Sequence, residues 1–227
     1  MASKSRRSFL SNLGVAASAA GVTLAAGSAS AQVQTPADAR WQAARHPQDD
    51  WLDQLPGKHR LFFDSTTPDR LEDAIQFAGN FFAANRGDYK LENSDLAVVL
   101  CMRHRAAPFG YNDSMWAKYG ATLSRRAEFT DPKTKEALKI NYFTPEAPAA
   151  PARPRGFASL MRLGVQFGVC NLSTHAIASM IAGDTGGKAD DIYKELAANL
   201  IDKARLVPAG IVAVNRAHER GYTVSGG

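Results

Sequence analysis

The sequence predicts an α/β fold built on a mostly parallel sheet that helices cover on both sides. Apolar runs at 60–64, 96–102 and 165–169 are typical of strands that are buried on both faces. Two shorter runs at 205–207 and 222–224 bring the sheet to about five strands. Stretches with helical spacing of apolar residues separate these runs, and this alternation is the pattern of parallel strands joined by helical crossovers.

The helix after the first strand has clear boundaries in the sequence. Thr67 is a residue type that caps a helix amino terminus, Pro68 suits the first helical position, and Asp69 lies in the first turn. The apolar stripe of this helix ends near 85–87. Later helices are predicted around 115–119, at 157–163, at 173–181, at 188–201 and from Pro208 to Arg220.

An irregular insertion is predicted at about 120–155. It holds a turn signal at 131–134, between candidate short strands, and a loop rich in proline and alanine at 145–154. The remaining domain limits are a signal peptide at 1–31, an N-terminal arm at 32–57 that lies over the surface, and the α/β domain at 58–227.

The first 31 residues have the three parts of a twin-arginine export signal. Arg6 and Arg7 are followed by an uncharged, alanine-rich stretch at 13–26 and then by the cleavage motif Ala29-Ser30-Ala31. The stretch is too short to span a bilayer comfortably, so no stable membrane insertion is expected after cleavage. We expect a mature chain that begins at Gln32, that the twin-arginine machinery exports through the arginine pair, and that acts in the periplasm.

The net charge and its distribution argue against two classes of function. The formal net charge of the 227 residues is +5, and the signal supplies three of these charges through Lys4, Arg6 and Arg7, which leaves the mature chain near +2. Basic and acidic residues are interspersed, which argues against a nucleic-acid-binding protein or one that binds membrane surfaces.

The cysteines and histidines predict neither a metal site nor a cofactor. Two cysteines, Cys101 and Cys170, are too few for a disulfide scaffold, and the sequence contains no Cys-x-x-Cys. The five histidines lack the spacing of metal ligands.

Ligands of open parallel sheets bind beyond the carboxyl ends of the strands, and three segments qualify: 64–67, 103–112 and 170–175. Cys170 is the most informative residue among them, because it ends a strand and directly precedes a helix. Free amides and the helix dipole at such a position favour a thiolate over a thiol. The alternative is a small buried hydrophobic residue, as most free cysteines are.

Other residues at this sheet edge are candidates for supporting roles. Arg103, His104 and Arg105 could supply positive charge or a proton relay, or could form a solvated basic loop. His175 lies one turn into the helix after Cys170 and is a candidate partner of the thiol. The backbone of Asn171 to Ser173 is expected to stabilise the negative charge of the sulfur.

Cys101 lies inside an apolar strand and is expected to fill the core. A disulfide between Cys101 and Cys170 is a further alternative. It requires neighbouring strands and Cα atoms within about 7 Å of each other.

Short motifs spread over residues 59 to 224 resemble the DsrE/DsrF-like family, specifically its exported branch with a twin-arginine signal. The matching motifs are Val98-Val-Leu-Cys-Met-Arg-His104, Pro108-Phe-Gly-Tyr-Asn-Asp113, Met115-Trp-Ala-Lys-Tyr119, Gly164-Val-Gln-Phe-Gly-Val-Cys170 and Val207-Pro-Ala-Gly-Ile-Val-Ala-Val214 with Gly221-Tyr222. The resemblance implies a three-layer α/β/α domain that assembles into homo-oligomers. It also implies that Cys170 matches the cysteine on which cytoplasmic members of the family carry sulfur as a persulfide.

Two functional hypotheses follow. In the first, the protein handles sulfur or redox thiol chemistry through Cys170, as a sulfurtransferase or a persulfide carrier, with assistance from His104 or a neighbouring arginine. In the second, it is a non-catalytic oligomeric module that binds a small ligand at the sheet edge and uses its cysteine structurally.

Replacing Arg6 and Arg7 together with lysine is expected to leave an uncleaved precursor in the cytoplasm, because the paired guanidinium groups are the feature that the export machinery recognises. Immunoblots of cytoplasmic and periplasmic fractions would measure the size and location of the protein. Normal periplasmic accumulation of the double variant would contradict the export prediction.

Overall fold

Five parallel strands form one sheet in the computed structural model, which describes residues 42–144 and 156–226. The strands are β1 (His59–Ser65), β2 (Leu96–Met102), β3 (Gln166–Cys170), β4 (Ala204–Val207) and β5 (Thr223–Gly226). Their order across the sheet is β4-β3-β2-β1-β5, and each neighbouring pair is parallel. The predicted α/β class and strand number are confirmed.

Seven α-helices accompany the sheet within the described residues. They are α1 (Trp51–Gln54), α2 (Pro68–Asp88), α3 (Asp113–Ala127), α4 (Phe157–Leu163), α5 (Asn171–Thr185), α6 (Ala189–Ala198) and α7 (Gly210–His218). The described residues from Ala43 onwards belong to one unit. The signal at 1–31, the first part of the arm and the loop at 145–154 lie outside the described residues.

The helices lie on two faces of the sheet, which makes three layers. The connections from β1 to β4 step across the sheet in one direction, and the buried residues of α2 to α6 pack on the face that carries Phe63, Leu100 and Phe167. The connection from β4 to β5 returns to the opposite edge. A right-handed crossover that runs in reverse needs its helix on the other face, and α7 packs there, against Phe62 and Val99.

The three strands that form from the long apolar runs, β1, β2 and β3, are interior and mutually parallel. Burial follows the prediction fully only in β2, where all seven residues are buried. In the predicted run 60–64, Arg60, Leu61 and Asp64 are half-buried, and in the run 165–169 Gln166 is half-buried. Arg60 is not enclosed because its side chain binds the arm, where it donates to the carbonyl oxygen of Leu52.

The predicted irregular insertion begins later than expected, because α3 continues to Ala127. The helix has a kink at Tyr119 (φ −123°, ψ 16°), and its buried stripe resumes at Leu123 and Ala127. It ends at Glu128, which adopts the left-handed conformation (φ 53°).

The predicted turn in the insertion forms, but the short strands beside it do not. One carboxylate oxygen of Asp131 accepts hydrogen bonds from the amides of Lys133 and Thr134. Residues 128–144 contain no strand. The segment is held instead by the fully buried Asn141, whose side-chain amide donates to the carbonyl oxygens of Phe109 and Tyr111.

Gly120→Ala is expected to lower the free energy of unfolding by at least about 2 kcal/mol, because overpacking of a closed contact forces the backbone to shift. A Cβ atom at this position would lie 1.9 Å from the carbonyl oxygen of Leu138. The matched control is Gly183→Ala in α5, where a Cβ atom meets nothing within 4 Å. The control is expected to gain up to about 1 kcal/mol from helix propensity. Urea unfolding would measure both, and equal stability of the two variants would show that the α3 contact is not tight.

Candidate functional site

The carboxyl ends of β3 and β4 form the point where the chain path divides between the two faces. After β3 the chain enters α5 on one face, and after β4 it enters α7 on the other. Open α/β sheets bind ligands at such a point of divergence, beyond the carboxyl ends of the strands. Cys170 pairs with Val207 as the last matched residues of these two strands. The thiol predicted from the sequence therefore lies at this point of divergence.

Two hydrogen bonds hold Cys170 in place, one to its sulfur and one to its carbonyl oxygen. It is the N-cap residue of α5, and its Sγ accepts a hydrogen bond from the amide of Ser173 at 3.4 Å. Its carbonyl oxygen accepts from Thr174 Oγ1 at 3.1 Å, and Thr174 Oγ1 accepts from the hydroxyl of Tyr111 at 2.9 Å. The sulfur therefore has a fixed position at the start of the helix, where amide dipoles favour negative charge.

Arg103 approaches the site from the end of β2 and is oriented by Asp64. Its Nε and one terminal nitrogen donate to the two carboxylate oxygens of Asp64 at 2.7 and 2.8 Å. Such a two-point contact fixes the plane of the guanidinium group. The hydrogen bonds to Asp64 raise the pKa of Arg103, and Cys101 and Cys170 lie close enough to the guanidinium group to contribute to this shift.

Strand register explains why these groups meet. Asp64 pairs with Cys101 across β1 and β2, and Cys101 pairs with Gly168 across β2 and β3. Paired residues of parallel strands share a face, and so do residues two apart in one strand. Asp64, Cys101 and Cys170 thus belong to the face that α7 covers.

Gly210 gives Arg103 the space to lie against the start of α7. A Cβ atom on Gly210 would lie 2.6 Å from Cδ and 2.7 Å from Cβ of Arg103. The aliphatic part of the arginine occupies the volume that any other residue would fill. Sequence reasoning placed Asp64 in the candidate binding segment 64–67 but gave it no individual role, and it gave Gly210 none. The only sequence signals were the acid at the end of the first strand and the glycine that opens α7.

The loop after β2 joins the site through its main chain. His104 is exposed and adopts a left-handed conformation (φ 54°), and its amide donates to Ser173 Oγ at 3.1 Å. Arg105 forms an ion pair with Glu128 at the end of α3. The structure thus brings His104 to the start of α5 and directs the side chain of Arg105 to α3.

The side chains of Asn171 and His175, two further candidates, lie between α5 and α6 and contact Tyr193. The ring of His175 stacks on Tyr193 with centroids 3.9 Å apart and planes 6° from parallel. The hydroxyl of Tyr193 donates to the side-chain oxygen of Asn171 at 2.9 Å. Both side chains therefore take part in helix packing.

Cys101 is fully enclosed in a second hydrophobic cluster, the one on the face that α7 covers, which also holds Phe62, Val99 and Ala213. Burial raises the pKa of its thiol far above the ordinary value of 9.0, and the negative charge of Asp64 adds to this effect. Its partner in β3 is Gly168 rather than Cys170, and ideal strand spacings place the two cysteine Cα atoms about 8 Å apart, beyond the reach of a disulfide. Both cysteines are free thiols.

Other kinds of site are not indicated by the described residues. No group of three His, Cys, Asp or Glu side chains among them is arranged to hold a metal ion. None of their helices combines the length and apolar character needed to cross a membrane. Two cavities open near the amino end of the sheet, one lined partly by Leu55 and Leu163 and the other by Arg86 and Lys90, and neither includes Cys170.

Comparison of the chain with protein-family models, curated proteins and solved structures gave no match.

The buried thiol of Cys101 is expected to make stability depend on alkaline pH. In the folded protein this thiol stays protonated above its ordinary pKa of 9.0, whereas in the unfolded chain it ionises near that value. Above about pH 9 the unfolded state binds fewer protons, so the free energy of unfolding falls by up to about 1.4 kcal/mol per pH unit. Below about pH 8 this contribution is constant.

Urea unfolding under reducing conditions at about pH 8 and about pH 10 would measure this decline. Cys101→Ala is expected to remove the Cys101 share of it, whereas Cys170→Ala, the same change at the other cysteine, is expected to retain that share. An equal decline in wild type and Cys101→Ala would contradict the enclosed position of Cys101.

Proposed function

We propose that this protein handles sulfur through the thiol of Cys170, as a persulfide carrier or a sulfurtransferase, like the DsrE/DsrF-like proteins that its sequence resembles. The observation that carries the proposal is the position of Cys170. Its sulfur lies at a helix amino terminus, at the sheet edge where β3 and β4 diverge to opposite faces. Location in the periplasm after twin-arginine export, and assembly into homo-oligomers, are part of the same proposal.

The surroundings of Cys170 suit a sulfur atom that carries negative charge. The amide of Ser173 already donates to Sγ, and the guanidinium group of Arg103 supplies positive charge nearby. Asp64 keeps that group oriented through two hydrogen bonds. A thiolate is the nucleophilic form of cysteine, so groups that stabilise it also prepare it for attack.

The transfer step is a nucleophilic exchange at sulfur. The thiolate of Cys170 attacks the outer sulfur of a donor persulfide, and a new sulfur–sulfur bond forms to Sγ. The sulfur–sulfur bond of the donor breaks, and the donor leaves as a thiolate. Cys170 then carries the sulfur as a persulfide, and the exchange needs no external oxidant or reductant.

His104 is the proposed assisting residue. Its exposed side chain belongs to a loop that the main-chain bond to Ser173 ties to the start of α5. An imidazole there could accept or donate a proton when an acceptor thiol approaches. The side chains of Arg105, Asn171 and His175 have partners elsewhere, so no direct role in the transfer step is proposed for them.

One observation favours the alternative, a non-catalytic oligomeric module that binds a small ligand. Cys170 is only 6 % exposed, and its Sγ accepts the hydrogen bond that an N-cap side chain normally accepts. A cysteine with a purely structural role would have this geometry.

Alkylation and sulfur loading distinguish the two functions. In the folded protein, iodoacetamide is expected to label Cys170 at neutral pH and to label Cys101 only after unfolding. Incubation with the persulfide of a small thiol is expected to add the mass of one sulfur atom to the peptide that contains Cys170. Cys170→Ser is the control and should take up no sulfur. An inert Cys170, or labelling dominated by Cys101, would reject the sulfur-handling proposal and leave the binding module.

Displacement of Arg103 is expected to slow the same reaction. Gly210→Ala forces the start of α7 and the Cβ–Cδ part of Arg103 apart, so alkylation of Cys170 at neutral pH should slow by about two- to fivefold as the nearby positive charge moves. Gly183→Ala, which adds the same methyl group in open space, is the matched control. Equal rates in both variants would show that Arg103 does not assist the thiol.

A further inference from the structure

A short acidic segment of the arm lies in a basic groove on the face of the sheet that α7 covers. The docking segment is residues 47–54, a 3₁₀ turn followed by α1, and it carries aspartates at 49, 50 and 53 around the apolar pair Trp51 and Leu52. The basic groove is formed by Arg60, Arg216, Arg220 and Tyr222. Trp51 is 7 % and Leu52 is 1 % exposed, so the docking segment contributes to the core.

The buried positive charge of Arg220 in the groove is paired with carboxylates of the docking segment. Its side chain is fully enclosed, its Nε donates to Asp53 at 3.1 Å, and one terminal nitrogen lies 3.7 Å from a carboxylate oxygen of Asp50. That terminal nitrogen has no hydrogen-bond partner among the described residues, so the aspartates supply its compensation. A buried guanidinium group that loses its carboxylates is strongly unfavourable.

Contacts along the rest of the docking segment involve both its charges and its backbone. The buried carboxylate of Asp49 lies 3.8 Å from Nε of Arg216. The carbonyl oxygen of Leu52 accepts hydrogen bonds from the hydroxyl of Tyr222 at 2.7 Å and from Arg60 at 3.4 Å. These groups match an acidic helical turn in charge and in hydrogen bonding.

Helix α7 alone places only small buried side chains on the second face of the sheet, so the docking segment completes the hydrophobic core there. The buried side chains that α7 places in the second hydrophobic cluster are those of Ala213 and Ala217, which are small. Trp51 and Leu52 provide the large apolar side chains that close the cluster over Phe62 and Val99.

We infer that the docking segment is a strap that closes onto the completed sheet as the last step of folding. Its partners Arg220 and Tyr222 follow Asp53 and Leu52 by 167 and 170 positions in the sequence, so the groove exists only after α7 and the turn that follows it are in place. The strap thus ties α1 to the turn between α7 and β5. This inference does not depend on the chemistry of Cys170.

Hydrogen exchange on the full chain tests whether the strap opens separately. In Arg220→Gln, peptides from residues 47–54 are expected to exchange at least about tenfold faster, whereas exchange in β2 is unchanged. Arg125→Gln, which removes an exposed ion pair with Asp184, is the matched control and should leave the strap unaffected. Unchanged exchange at 47–54 would overturn the inference, as would an equal rise in the strap and β2.

A second variant and a refolding measurement keep the inference testable if Arg220→Gln does not fold. Tyr222→Phe removes only the hydrogen bond to Leu52, and it should raise exchange at 47–54 by a smaller factor in the same region alone. In pulse labelling during refolding of the wild-type chain, protection at 47–54 is expected after protection of 96–102. Simultaneous or earlier protection of the strap, or no effect of Tyr222→Phe, would overturn the inference.

Discussion

The reversal of the chain path after β4 is the constraint on which the rest of the structure depends. Four strands follow one another across the sheet, so their crossovers fill one face, and the return to the far edge places α7 on the other. This reversal has two consequences. It makes the chain diverge to opposite faces at the carboxyl ends of β3 and β4, where Cys170 lies, and it leaves the second face with one short helix, which is why residues 47–54 are needed to close it.

The site combines local and long-range determinants, and only the local ones could be predicted from the sequence. Thr67 and Cys170 precede helices directly, so their positions at helix starts follow from their neighbours in the chain, and both were predicted correctly. The pairing of Asp64 with Arg103 depends on strand register, and the contact of Arg103 with Gly210 depends on which face α7 occupies. Neither relation is encoded within a window of a few residues.

Proximity in the sequence also suggested companions for Cys170 that the fold directs elsewhere. His175 is five residues further along α5, and five residues turn a helix well past the starting face, so its ring meets Tyr193 of α6 instead. Arg105 follows a left-handed residue, and its side chain reaches Glu128. The insertion begins later than the predicted residue 120, because α3 continues past the kink at Tyr119 and still buries Leu123.

The N-cap position of Cys170 supports both proposed functions, yet the choice of side chain separates them. Serine, threonine, aspartate and asparagine are the preferred N-cap residues, because their oxygen accepts the amide hydrogen bond well. Sulfur is a weaker acceptor, and the distance of 3.4 Å from the Ser173 amide to Sγ reflects a larger, softer atom. A chain that needed only a cap would be served better by serine. Capping alone therefore does not explain a thiol at this position; the sulfur chemistry proposed above would explain it, and so would the packing of a small, largely buried side chain.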